Sequence, residues 1–171
     1  MSIIKQISNW ILSKKELKKS LKQFLNWSQL SHVLLIAQDN QLSNCKDFIN
    51  ACKEHNIYVR VAVIFDGKLE MAPKPDFDHM ILDKKQFSFW GLPKEECLRE
   101  LNSKPIDVLI NLADYKQTKA FALSKLIPAK CKIGNFENDV FDITINSDKT
   151  IKSSDYLKQV IVYLNMINPT N

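Results

Sequence analysis

The stretch from Pro105 to Phe136 constrains this chain more than any other. An apolar run (Val108, Leu109, Ile110, Leu112) lies between Pro105 and Asp114. From Tyr115 to Ala129 the apolar positions change to a helical period, with Ala120, Phe121, Leu123, Ser124 and Ile127 on one side. A second short apolar run follows Lys130 and closes at Gly134. Strand, helix and strand in that order form a crossover unit, and such units build parallel sheets.

A second unit lies upstream. His32–Ala37 reads as a core strand buried on both faces, because it is apolar throughout and not alternating. Leu42–His55 follows as a helix with Ser43 as its N-cap and Cys45, Phe48, Ile49 and Cys52 inward. Tyr58–Phe65 is the next strand, and Asp66-Gly67 closes it as a turn. His79–Leu82 reads as a short strand, Lys94–Asn102 as a short helix, and Val140–Ile145 as a last strand. A final helix begins at Ser153-Ser154-Asp155 and presents Leu157, Val160, Ile161, Leu164 and Ile167 on one face. The reading is a single α/β domain over 31–171, three-layered and Rossmann-like, with a mostly parallel sheet of five or six strands. Residues 1–30 precede it as a basic amphipathic helix, in which Ile3, Ile7, Trp10, Leu17, Leu21 and Phe24 share a stripe.

Composition removes several functions. The chain has three glycines in 171 residues, Gly67, Gly91 and Gly134, at neither GxGxxG nor GxxxxGK[ST] spacing. Phosphate-cradling loops need glycines so that backbone amides can approach the anion. A dinucleotide fingerprint and a P-loop are therefore excluded, and no cofactor is implied. Cys45, Cys52, Cys97 and Cys131 form no CxxC pair, and His32, His55 and His79 form no HxxxH or HExxH. Without a legible secretory leader, the cysteines read as reduced thiols in a cytoplasmic protein.

Charge is distributed unevenly. Residues 1–25 hold six lysines (5, 14, 15, 18, 19 and 22) and one acid, Glu16, out of 24 basic and 19 acidic residues, so the remainder is balanced at 18 of each. Lys14, Lys15, Lys18, Lys19 and Lys22 are candidates for contact with RNA, the ribosome or an anionic membrane surface. Equally, the run can be the wet face of a packed helix. No stretch of the first segment is long and apolar enough to span a bilayer.

Open α/β sheets bind ligands beyond the carboxyl ends of their strands. Asp39, Asp66, Asp83 and Asp114 each follow a predicted strand and could converge on Mg²⁺ through carboxylates and waters. Aspartate is also the ordinary residue of turns and caps, which is the competing reading. Lys116 and Lys119 stand where an anion would meet the next helix. Phe87, Phe89 and Trp90 form an aromatic cluster ended by Gly91-Leu92-Pro93. It is either a buried lid on the sheet or a grip for a protein partner.

The order of features resembles a family of Bacteroidota proteins with a domain of unknown function. The likeness rests on the lysine-rich first helix, Trp90-Gly91-Leu92-Pro93, the Asp107–Leu112 strand, Lys132-Ile133-Gly134 and the terminal helix. It covers nearly the whole chain and lends no activity. Asp107–Leu112 with Lys132–Gly134 also looks like the acceptor half of heptosyltransferase-type glycosyltransferases, in which aspartate usually stands where this chain has Asn111. That resemblance implies the fold. The second half needed for a nucleotide-sugar has no room here. Taken together, the sequence points to a binding or adaptor protein with an anionic partner, before a small enzyme acting on a phosphorylated or nucleotide substrate at the aspartate-lined strand ends.

Overall fold

The computed structural model describes residues 22–114, 116–145 and 151–169. Its core is a six-stranded sheet: β1 (His32–Gln38), β2 (Tyr58–Ile64), β3 (His79–Leu82), β4 (Val108–Asn111), β5 (Cys131–Gly134) and β6 (Ile143–Thr144). The strand order is β3-β2-β1-β4-β5-β6, and every neighbouring pair is parallel. Four α-helices accompany it among the described residues: α1 (Lys46–Glu54), α2 (Glu95–Leu101), α3 (Thr118–Leu126) and α4 (Ser153–Met166).

Strand alternation sorts the layers. Val33, Leu35, Val61, Val63, Val108, Ile110 and Ile133 face α1 and α4, where Phe48, Ile49, Leu157 and Val160 meet them. Leu34, Ile36, Ala62, Ile64 and Leu109 face α2 and α3, against Cys97, Leu101, Ala120 and Leu123. This is the expected three-layer architecture. β1 is central, and Val33 to Ala37 have no exposed surface.

A polar staple joins the three middle strands at their amino ends. Asp107, immediately before β4, is buried. Its Oδ2 accepts the amides of Ser31 (2.8 Å) and His32 (3.0 Å) at the start of β1. Its Oδ1 pairs with Lys130 Nζ at 2.8 Å, just before β5. Burial alone would raise the carboxyl's pKa. The Lys130 ammonium and the two amides outweigh burial and hold it below the usual carboxylate range.

Several boundaries depart from expectation. Residues 22–30 do not continue an α-helix. They run irregularly into a 3-10 turn at Trp27–Gln29, and the rest of the predicted first helix lies outside the described residues. This stretch is tied to the fold instead. Gln23 N donates to Lys130 O (3.1 Å), and Asn26 Nδ2 donates to Asn165 O (3.2 Å) and Ile167 O (2.7 Å), at the end of α4. Leu25, Trp27 and Leu30 enter the core. The Gln23 amide, given to Lys130 O, is no longer free to close a helical hydrogen bond.

The helix predicted from Leu42 begins earlier, as a 3-10 segment over Asp39–Cys45, and Ser43 is not its cap. The helix predicted to end at Ala129 stops at Leu126, ahead of Pro128, whose ring disfavours helical backbone at the residue before it. Of the strand predicted over Val140–Ile145, only Ile143–Thr144 pairs. Phe141 leaves the ladder and lays its ring over Gly134, where a β-carbon would stand 2.4 Å from the ring. The final helix has Lys152 at its N-cap position with no side-chain cap, and it buries Tyr156, which the periodicity did not single out.

Two outcomes test this core. Ile110→Asp places an unpaired charge at a site with no exposure, and it should abolish cooperative unfolding in a urea melt. Asp107→Asn should cost about 2 kcal/mol at neutral pH, the scale of a hydrogen bond to a charged group. Because the folded pKa of Asp107 is depressed, its contribution is present above the unfolded value of 3.8 and lost as pH falls through the acid range. Urea midpoints measured from pH 7 to pH 3 should therefore fall less steeply for the variant.

Candidate functional site

The strand order changes direction between β1 and β4, and there an open parallel sheet has a crevice at its carboxyl edge. On the α1/α4 side the crevice is filled. The segment after β1 contains no glycine and coils at once into the 3-10 turn. Gln41 on that turn accepts the Gln38 amide (2.9 Å) and donates to Leu112 O (2.9 Å) beyond β4 and to Ser153 Oγ (3.3 Å) at the start of α4. Asn135, after β5, also donates to Leu112 O (3.4 Å). One glutamine thus joins three elements where a nucleotide phosphate would approach a glycine loop.

The predicted aspartates do not converge. Asp39 is exposed on the first residue of the 3-10 turn. Asp66 pairs with Lys119 Nζ at 2.5 Å, and that ammonium also lies 5.1 Å from the Phe87 ring. Asp83 is buried and caps its own turn by accepting the Lys85 amide at 2.8 Å. Asp114 accepts the Lys116 amide at 3.2 Å. Among the described residues no three His, Cys, Asp or Glu side chains are grouped to hold a metal ion. At the positions that strand ends and helix starts require, Asp83 and Asp114 act as turn and cap residues.

The aromatic loop divides. Phe87 is buried against the α2/α3 layer, whereas Phe89 is 80% exposed and meets Trp90 edge to face at 5.3 Å. Trp90 packs with Leu92 onto Ala122, Phe121 and Leu126 of α3. Phe87 is thus the buried part of this loop and Phe89 its exposed part.

Of the lysines singled out for a partner, Lys14, Lys15, Lys18 and Lys19 lie outside the described residues. Lys22 forms a 2.6 Å ion pair with Asp142, whose side chain is nearly buried. That hydrogen bond raises the Lys22 pKa.

Sequence reading missed Lys132. Its Nζ donates to the carbonyls of Ser124 (2.7 Å) and Lys125 (3.3 Å), so a buried ammonium caps the last turn of α3. Burial lowers its pKa to about 8, which Asp142 offsets only in part and Lys22 reinforces. A lysine inside a strand can be flagged from sequence, but the helix end it caps cannot be.

All four thiols are buried. Burial pushes Cys45, Cys52 and Cys131 up to about 12 and Cys97 to about 11, which removes the thiolate that cysteine chemistry needs.

A model of a family of unknown function (DUF6913) matches residues 5–167. The chain belongs to that family. No curated protein matches it, and no solved structure does. Among the described residues of this family member, no helix is long and apolar enough to cross a membrane.

The thiols set an alkaline limit. Their folded pKa values exceed the ordinary 9.0, so stability is intact below pH 9 and lost as pH rises from 9 toward 12. Lys132 acts oppositely, favouring the fold as pH rises from about 8 to 10.5. Urea melts should show falling stability above pH 9, and Lys132→Met should steepen the fall. A thiol-reactive disulfide reagent at pH 8 should label the native protein far more slowly than the urea-unfolded chain.

Proposed function

We propose that this protein is a cytoplasmic binding protein that docks on an anionic partner, RNA or the ribosome ahead of a membrane surface, through its lysine-rich first segment. The charge distribution carries the reading: all of the chain's net +5 falls within residues 1–25. The structure supplies a fixed base for that segment. Lys22, Gln23 and Asn26 fasten the chain at the amino ends of the strands, through Asp142, Lys130 and the last carbonyls of α4. This is the opposite edge of the sheet from the strand-end aspartates. Docking there leaves the loops beyond β1, β2 and β4 uncovered.

The other reading, a small enzyme for a phosphorylated or nucleotide substrate, has less behind it. Asp66 is taken by Lys119, Asp83 and Asp114 serve their own turns, and the thiols are buried. The resemblance of Asp107–Leu112 and Lys132–Gly134 to a heptosyltransferase acceptor half, and that of nearly the whole chain to a family of Bacteroidota proteins, would lend no reaction to this reading.

Binding to a labelled RNA should weaken with salt, each lysine–phosphate contact adding roughly 0.7 to the slope of log affinity against log salt. Replacing Lys14, Lys15, Lys18 and Lys19 by Gln should flatten the slope while leaving the melting temperature nearly unchanged, since solvated lysines contribute little to stability. Anionic vesicles, with Trp10 fluorescence as the readout, report the membrane alternative. If neither polyanion binds at low salt, the proposal fails.

A further inference from the structure

At the carboxyl edge, on the side of the sheet that Gln41 does not fill, β4 ends in Asn111, which has no exposed surface. Val108 and Ile110 face α1 and α4, so Asn111 faces α3 together with Leu109. Its Oδ1 accepts the Ala113 amide at 2.9 Å, closing a turn on its own backbone two residues on. Its Nδ2 is buried and has no hydrogen-bond partner. A buried donor without a partner is costly, and a bound molecule that accepts from it would relieve that cost.

On this same side of the sheet the chain leads on to the start of α3, a helix that packs on β1 and β4. Ala113 and Ala120, from the loop and the first turn, are fully buried on the same side as Leu109. Gln117 at the N-cap position supplies no side-chain hydrogen bond, and the first turn contains no acid. Among the described residues no side chain caps the leading amides of this nine-residue helix, and they carry the positive end of its dipole. Lys119 stands in that turn, with Asp66 as its internal counter-ion. Donors gather here, beside the paired charges of Lys119 and Asp66 at the switch point between β1 and β4, and the ligand that satisfies donors is an oxyanion.

We propose that the start of α3 and the Asn111 amide form a binding site for the phosphate group of a small phosphorylated molecule. The helix amides of Thr118 to Ala120 hold the oxyanion, Asn111 Nδ2 donates from the sheet side, and Lys119 exchanges Asp66 for the ligand's charge. The site is independent of the lysine-rich segment, which is fastened at the other end of the strands.

Inorganic phosphate is the probe, titrated into the full-length protein against chloride at matched ionic strength. Phosphate should raise the melting temperature and shift the backbone amide resonances of Thr118, Lys119 and Ala120. Asn111→Ser keeps an acceptor for the Ala113 amide and removes the Nδ2 donor; it should weaken phosphate binding roughly tenfold, the scale of a hydrogen bond to a charged group. Lys119→Gln should weaken it similarly and remains informative should the Asn111 variant not fold. The variant with Gln at 14, 15, 18 and 19 should keep the full response. No movement of the α3 amides overturns the site. So does a response unchanged in Lys119→Gln, or one lost with the first-segment lysines, which would place the anion on those lysines instead.

Discussion

The central strands depend on a single buried carboxylate. Parallel strands have no hairpin turn to set their register. β1 is apolar on both faces, so a slip would not move a polar side inward and would meet little resistance from burial. Asp107 removes that ambiguity. By holding the Ser31 and His32 amides and the Lys130 ammonium, it aligns the starts of β1, β4 and β5. The pairings Val33–Val108 and Val108–Cys131 follow from that alignment. The same edge receives the chain at Lys22, so the register device and the base of the basic segment are neighbours in the fold.

The sheet has the strand order associated with dinucleotide binding but lacks the loop that makes such binding possible. Where a glycine turn would expose amides after β1, Gln38 to Cys45 coil directly toward α1, and Gln41 closes the gap to β4 and α4. Architecture and activity therefore separate, as they do across α/β folds generally. The crevice is filled by side chains on one face of the sheet. On the other, Asn111 Nδ2 is buried with no hydrogen-bond partner among the described residues. The two faces of one switch point thus have opposite characters.

The candidate carboxylates show why a list of strand-end aspartates is weak evidence for a metal site. Each was recognisable as a residue following an apolar run, but whether four of them meet depends on where each loop turns. Asp83 and Asp114 are consumed by amides two residues away, a local arrangement that sequence could suggest. Asp66 finds Lys119, 53 residues distant, which no local pattern signals. The same holds for Lys132, whose acceptors belong to the end of the preceding helix.

The sequence by itself determined the class of the fold, the strands β1 to β5 nearly to their ends, the inward positions of the helices and the absence of a glycine phosphate loop. It could do so because hydrophobic period and backbone chemistry are properties of short windows. The tertiary structure decided the rest. The amphipathic stripe of residues 1–30 predicts a helix, but over residues 22–30 the Gln23 amide is given to Lys130 O before β5, Asn26 ties the chain to the end of α4, and Leu25, Trp27 and Leu30 enter the core. Val140 to Ile145 carries strand-forming residues, but Phe141 gains more by covering Gly134 than by extending β6. The strand order, the plug at Gln41 and the orphaned amide of Asn111 arise only when distant segments are brought together, because each depends on which partner a polar group meets once water has been excluded.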